Sequence, residues 1–313
     1  KAIKLIKLYE QEIKTGEQLR EIKGIGNGII NRVDEILNTG TLAEIESEPS
    51  LNSVANSSKQ NNSLKLKNLQ RITGIGPVKA KKLLDEGHTL ESLNKDYKNN
   101  KDLNDILTHH QLLGLKYFED LESRIPYEEI QQIEKYIKQV CQNIDINLNL
   151  TICGSYRRKQ KTSGDIDILI THSDINTSKD IDEVGVNYLE QLIKVLKSKK
   201  FLVDHLTVKG NTKYMGFCRY LNNPARRIDV RLIPRNCYSA ALLYFTGSGE
   251  FNKNMRTFAL KNGYTINEYG IYKLKKDKTK GLKMNCVEEK DIFNLLNIDY
   301  VSPEKRTALV KFD

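Results

Sequence analysis

Gly154-Ser155-Tyr156-Arg157-Arg158, followed at Ser163-Gly164-Asp165-Ile166-Asp167 by the apolar run Ile168-Leu169-Ile170, is the stretch on which the fold turns. Two carboxylates one residue apart in an apolar run read as a β-strand. Successive side chains of a strand point to opposite faces, so Asp165 and Asp167 share a face, roughly 7 Å apart. Like charges on a buried strand face are costly unless cations bind them. Mg²⁺ is the natural guest, because it takes oxygen ligands and is usually held by one or two carboxylates plus substrate phosphates. Gly154 and Ser155 add backbone N–H groups and a hydroxyl that can approach a triphosphate closely. Together these are the parts of a metal-dependent nucleotidyl-transfer site. The structural alternative is an edge strand carrying solvated acids.

A third carboxylate, Asp229, lies in another apolar strand with Arg227 and Arg231 two residues away on either side. Taken alone it is either a rung of an ion-pair ladder or a third metal ligand whose charge the arginines tune. The upstream Gly-Ser and Asp-x-Asp pattern favours the second reading.

Composition supports a nucleic-acid enzyme. The 313 residues allow two to four compact units, and the net charge is +10. Residues 190–283 hold 20 Lys and Arg against 6 Asp and Glu, a net +14, so the remainder nets −4. That concentration suits a polyanionic partner. Five cysteines occur singly, with no paired metal spacing, and suggest a reducing compartment. No apolar run reaches membrane-spanning length and no signal peptide is visible, so no membrane association is expected. The expected setting is intracellular: nucleus, or cytoplasm or virion for a viral protein.

Two near-repeats organise the first third: Ile22-Lys23-Gly24-Ile25-Gly26-Asn27-Gly28-Ile29 and Ile72-Thr73-Gly74-Ile75-Gly76-Pro77-Val78-Lys79. Each puts Gly-Ile-Gly before a helical pattern. The glycines permit a tight turn between helices, and the second helix starts with free N–H groups that bind phosphate. This helix-hairpin-helix pattern grips a DNA backbone without reading sequence. The Ser/Asn-rich stretch 46–63 between the repeats reads as a flexible linker. A helix is expected over 127–142, strands over 150–153, 166–170 and 227–232, a helix near 184–199, and a hairpin around 276–281.

The ordered motifs make the chain resemble family X of the DNA polymerases over nearly its whole length. They include Leu107-Thr108-His109-His110-Gln111, Arg124-Ile125-Pro126, Cys153-Gly154-Ser155, Ser163-Gly164-Asp165-Ile166-Asp167, Tyr244-Phe245-Thr246-Gly247-Ser248 and Phe251-Asn252-Lys253-Asn254-Met255-Arg256. The resemblance implies an α+β fold: a nucleotidyltransferase palm with a mixed sheet, flanked by helical DNA-binding units. The divisions expected are a small lyase-like domain over 1–45, N-terminally incomplete because the chain opens at Lys1 without Met; the linker 46–63; a thumb-like helical unit 64–124; the palm 125–235; and a nucleotide-selecting unit 236–313.

The resemblance further implies that Asp165 and Asp167 hold two Mg²⁺ ions, or Mn²⁺, with Asp229 on the catalytic one. Arg124, Gly154, Ser155, Arg158, Ser163 and Gly164 would hold the triphosphate. Tyr244, Phe245 and Gly247 would lie under the sugar, and Asn252 and Arg256 along the minor groove. Gly24, Gly26, Gly74, Gly76, Lys79, Lys209, Lys213 and Arg227 would contact DNA. Backbone carbonyls of Gln70, Ile72 and Ile75 would hold a monovalent cation, Na⁺ or K⁺. His109-His110 would be a structural pair near DNA. The substrates implied are gapped or nicked duplex DNA and deoxynucleoside triphosphates, for a monomeric enzyme filling short gaps in base excision repair.

Departures from the family pattern bear on a second activity, removal of 5′-deoxyribose phosphate through a lysine Schiff base. Arg32 stands at the lysine's position, and Gly28 and Glu44 match two further lysines of that phosphate pocket. Arginine stays protonated and cannot form an imine at neutral pH, so this lyase is not expected to operate there. Gly249 replaces an acidic residue near the nucleotide, and 273–283 is richer in lysine than the pattern. Two other readings compete: template-independent terminal transfer, which would need a long insertion near the template, and a non-catalytic DNA-end-binding scaffold, against which three intact carboxylates argue.

Overall fold

The computed structural model describes all residues except 1, 7, 8, 10, 23, 43–52, 185, 208, 209 and 313, and only the backbone of 2, 4 and 53–60. Glu44 and Lys209 therefore lie outside the described residues, as does 46–52 of the expected linker. The chain forms two compact units, Lys1–Lys67 and Asn68–Asp313.

The first unit contains α1 (Ala2–Ile6), a 3₁₀ turn at Gly16–Leu19 and α2 (Asn27–Thr39). Leu19, Ile25 and Ile30 form its buried centre. The expectation for 53–63 is corrected: α3 runs from Ser53 to Leu69 through it. Its residues are Ser-, Asn- and Lys-rich, which suggested a linker, but they include no Gly or Pro to break a helix.

In the second unit, α4 (Pro77–Asp85), α5 (Leu90–Lys98), α6 (His109–Lys116) and α7 (Phe118–Glu122) precede the palm. The two sequence repeats become one repeated backbone. Gly24 and Gly74 take φ +107° and +89°, where a side chain would be strained. Ile25 and Ile75 donate their N–H to the carbonyls of Ile22 and Ile72, both at 3.0 Å. Gly26 and Gly76, in extended backbone, cap α2 and α4 without any side-chain bond to the first amides.

The palm places α8 (Tyr127–Ile144), α9 (Gly154–Arg157), α10 (Asp180–Glu183) and α11 (Tyr188–Ser198) about a five-stranded sheet of order β2-β4-β7-β6-β5. The strands are β2 (Asn149–Ile152), β4 (Ile166–Thr171), β5 (Leu202–His205), β6 (Lys213–Cys218) and β7 (Arg226–Leu232); β1 (Ile125–Pro126) and β3 (Thr162–Ser163) pair separately. Only β4 and β7 run parallel within the sheet. Ile166, Ile168 and Ile170 of β4 and Ile228, Val230 and Leu232 of β7 enter the core with Ile130, Ile133 and Ile137 of α8 and Leu189, Leu192 and Leu196 of α11. Period-two burial leaves Asp167, Arg227, Asp229 and Arg231 on the opposite face. The helix expected near 184–199 is α11, which starts at Tyr188, and the short α10 precedes it.

The C-terminal region packs α12 (Arg235–Thr246), α13 (Gly249–Lys261) and α14 (Glu289–Leu295) with an antiparallel sheet of β8 (Tyr264–Asn267), β9 (Gly270–Leu274) and β10 (Lys280–Lys283). Phe251, Met255, Ile271, Ile292 and Phe293 fill its core.

Helix α6 seats the second hairpin. Gln111 Nε2 donates to the Gly74 carbonyl at 3.0 Å, and a Cβ on Gly114 would stand 2.2 Å from the Thr73 carbonyl oxygen. Gly114→Ala is therefore expected to destabilise the protein by about 1–3 kcal/mol through overpacking. Gly249→Ala, where the same Cβ meets nothing within 4 Å, should stay within about 0.5 kcal/mol of wild type. Denaturant unfolding of both variants measures the difference.

Candidate active site

The parallel β4–β7 pair sets the site. Its register puts Asp167 opposite Asp229, with Asp165 one residue before β4 begins. Arg227 Nη2 donates to Asp229 Oδ1 at 2.7 Å. Burial pushes the Asp167 carboxyl up to about 7, with the charges of Asp165 and Asp229 adding to the shift and Arg227 and Arg231 opposing it. Burial also raises Asp229, against the pull of Arg227. Among the described residues, no three His, Cys, Asp or Glu side chains already stand in a metal-holding group; the expected three-carboxylate ligand set is gathered on one face but not closed, and Arg227 engages one oxygen of Asp229. The donor set still fits a hard divalent cation: it offers carboxylate oxygens only, and the raised carboxyls record negative charge held close together.

A cavity of about 580 Å³ adjoins the carboxylates, lined by Gly154, Ser155, Arg158, Asp165 and Asp167 on one side and by Tyr244, Phe245, Gly247, Gly249, Asn252, Lys253 and Arg256 on the other. Gly154 is required where it stands. Its φ is +56°, and a Cβ there would meet Asp167 Oδ2 at 2.7 Å. Cys153, expected to end strand β2, instead precedes α9 and donates its N–H to the Asp167 carbonyl at 2.8 Å, which fixes the turn against β4.

Arg158 spans the cavity's two walls. It donates to the Thr246 carbonyl and, at 3.1 Å, to Ser155 Oγ. Burial lowers its pKa. Asn252 Nδ2 donates to the Tyr244 carbonyl at 2.7 Å, so this residue of α13 holds the end of α12. Ser248 Oγ caps α13. Arg231 lies 4.8 Å over the Phe245 ring.

Arg124, Ser163 and Gly164 lie outside the cavity lining. Arg124 is held by Thr162, with Nε 2.7 Å from Oγ1 and Nη2 2.9 Å from the carbonyl, and its Nη1 lies near Gly164. Ser163 is buried. Lys213 begins β6 across from Arg231 and acts electrostatically on Asp229. The Lys79 ammonium donates to the Ile106 carbonyl at 2.5 Å. Of the carbonyls read as a monovalent-cation site, that of Ile72 accepts the Ile75 N–H. Arg32 lies on α2, with Gly28 one turn before it.

Sequence reading missed a buried charged group behind the cavity. Arg157 Nη2 lies 2.7 Å and Nη1 3.1 Å from the Glu289 carboxylate, and Nη1 donates to Thr246 Oγ1 at 2.7 Å. Arg306, fully buried, reaches Glu289 at 2.7 Å. Arg157 stands 89 and 132 positions from Thr246 and Glu289, and Glu289 stands 17 from Arg306, so no local pattern joins them. Removing one member of such a group leaves an uncompensated buried charge, which costs about 3–5 kcal/mol.

Comparison with known proteins adds an independent line. Residues 124–235 match a family described as DNA polymerase beta palm, 241–307 DNA polymerase beta thumb, 67–122 the fingers domain of DNA polymerase lambda, and 1–42 a helix-hairpin-helix domain. The fingers match thus falls within 64–124, expected as a thumb-like unit, and the thumb match within 236–313, expected as a nucleotide-selecting unit. Over 98% of its length, the chain is 32% identical to a protein named DNA polymerase lambda from Arabidopsis thaliana and 29% identical to one of that name from Rattus norvegicus. It is 27% identical to a DNA nucleotidylexotransferase from Xenopus laevis. It spans 56%, 51% and 63% of these relatives, about half their length.

The Asp167 environment gives a signed pH dependence. The folded value of about 7 lies above the ordinary 3.8, so this carboxyl's contribution to stability is full below about pH 4 and is lost as pH rises through about 7. Metal-free wild type should therefore lose stability relative to Asp167→Asn between pH 5 and 8. Divalent-cation binding near pH 6 should release about one proton, read by calorimetry in buffers of different ionisation enthalpy. Equal pH slopes in the two proteins would contradict the burial account.

Hairpin, fingers, palm and thumb matches in that order along the chain, on a palm whose Asp165 and Asp167 line the cavity, identify the chain as a member of family X of the DNA polymerases.

Proposed function

We propose that this chain is a template-directed DNA polymerase that fills short gaps in duplex DNA during repair. The observation that carries the reading is the face shared by Asp167 and Asp229 on parallel strands, beside a cavity with basic and glycine-rich walls. Divalent cations held by Asp165, Asp167 and Asp229, Mg²⁺ or Mn²⁺, would supply a lowered pKa at the primer 3′-hydroxyl and offset charge on the leaving pyrophosphate. Ser155 and Arg158 bind the β- and γ-phosphates, with Arg124, Ser163, Gly164 and the Gly154 backbone around them. Tyr244, Phe245 and Gly247 crowd the sugar and disfavour a 2′-hydroxyl. Asn252 and Arg256 line the base-pair edge. Arg227 and Lys213 lie toward the primer end, where Arg227 must release Asp229 for that carboxylate to serve as a ligand.

The open amides after Gly26 and Gly76 bind DNA phosphates on either side of the gap, aided by a monovalent cation near Gln70, Ile72 and Ile75. The working divisions are 1–45 for the downstream end, 64–124 for duplex, 125–235 for chemistry and 236–313 for nucleotide choice, in one monomer. The names of the plant and rat relatives support DNA synthesis from deoxynucleoside triphosphates. Five free thiols suit a reducing, DNA-containing compartment such as the nucleus; no helix among the described residues is long and apolar enough to cross a membrane. The amphibian relative's name, a nucleotidylexotransferase, supports a second reading, template-independent addition.

Extension of a one-nucleotide-gap primer, with and without the templating base, separates the readings. The polymerase reading predicts one complementary addition that depends on the template base; template-indifferent addition would favour terminal transfer, and no addition would leave a scaffold. Asp229→Ala should lower the rate by at least about three decades, or ~4 kcal/mol, with a smaller loss of nucleotide affinity. Borohydride treatment on an incised abasic site should trap little adduct, because Arg32 cannot form an imine; strong trapping would show that another lysine has taken over.

A further inference from the structure

Behind the Phe245 wall of the site lies a second group of reactive atoms. Lys283, on β10, extends its amine to 3.2 Å from the sulfur of Cys237 in the first turn of α12. Two features hold this contact in place. The lysine stem crosses Gly270, where a Cβ would stand 2.8 Å from Lys283 Cε, so the absent side chain makes the passage. Cys237 Sγ donates its own proton to Asn236 Oδ1 at 3.1 Å, which leaves a sulfur lone pair for the lysine N–H. Cys237 is 5% exposed, yet it lines a cavity of about 350 Å³ with Arg231, Ile233, Pro234, Glu268 and Tyr269. That volume admits a molecule the size of hydrogen peroxide. Burial pushes up the thiols of Cys141, Cys153, Cys218 and Cys286, which keeps them protonated and slow to oxidise.

We propose that Cys237 and Lys283 are an oxidative modification site, forming a covalent Sγ–O–Nζ bridge in the presence of peroxide. One hydrogen peroxide converts the Cys237 thiol to a sulfenic acid and releases water. The sulfenic acid, the neutral Lys283 amine and a second peroxide then give S–O–NH and two waters: sulfur and nitrogen are oxidised, and the peroxide oxygens are reduced. An inserted oxygen spans most of the 3.2 Å gap, so this bridge closes with less displacement than a direct S–N bond. The bridge would fasten α12, whose far end carries Tyr244 and Phe245, to the outer strand of the C-terminal sheet.

The test is peptide mass spectrometry of the whole protein after peroxide treatment, digested without reductant. The expected product is a Cys237–Lys283 peptide pair that has gained one oxygen and lost two hydrogens, and that separates on dithiothreitol treatment. Lys283→Arg should abolish the pair while Cys237 still oxidises. Gly270→Ala, which displaces the lysine but keeps both reacting groups, should lower its yield several-fold; circular dichroism checks that each variant is folded. A Cys237–Cys286 disulfide, a pair lacking the oxygen, or a Cys237 oxidised only to sulfinic or sulfonic acid would overturn the proposal.

Discussion

The burial of acidic side chains on one face of two parallel strands is the constraint around which the rest of the palm is arranged. Register alone sets Asp167 beside Asp229, and the core beneath them, Ile166, Ile168, Ile228 and Val230, is fully apolar. A charge pair in that setting is unfavourable unless something positive answers it. Arg227 answers part of the charge by bonding Asp229; burial also raises the Asp167 carboxyl to about 7, which favours its neutral form at lower pH. A bound cation would replace both arginine and proton.

The walls of the cavity are tied to each other by hydrogen bonds that cross from the palm to the C-terminal region. Arg158 reaches the Thr246 carbonyl from the Gly154–Arg157 turn, Arg157 reaches Thr246 Oγ1 and Glu289, and Arg306 closes the group from the far side. These arginines sit among aromatic rings as well: Arg306 lies 5.6 to 5.7 Å from the centroids of Phe251, Phe293 and Tyr300. A nucleotide phosphate bound by Ser155 and Arg158 would therefore be sensed at Thr246, the residue before the glycine that ends α12.

Legibility followed the range of the interactions. Gly154, Asp165, Asp167 and Asp229 were legible because strand periodicity is local and the alternating isoleucines mark the buried face. The two glycine hairpins were legible because a repeated local sequence makes a repeated turn. Helix α3 was not, since its polar residues resemble a linker and it lacks a strong apolar face. The Lys79 bond to Ile106 and the Arg157–Glu289–Arg306 group were invisible for a different reason: each joins distant segments that only the tertiary fold brings together. Thr162, which holds Arg124, falls in the same class.

The proposed function turns on Asp165, Asp167 and Asp229 holding divalent cations once Arg227 has released Asp229. A crystal structure with Mn²⁺ and a non-hydrolysable deoxynucleoside triphosphate on gapped DNA tests it most directly through anomalous scattering. The account predicts anomalous peaks bounded by Asp165, Asp167 and Asp229, with the Arg227 guanidinium moved off Asp229. Manganese located away from these three carboxylates, or an Asp229 still paired with Arg227 in the ternary complex, would contradict it.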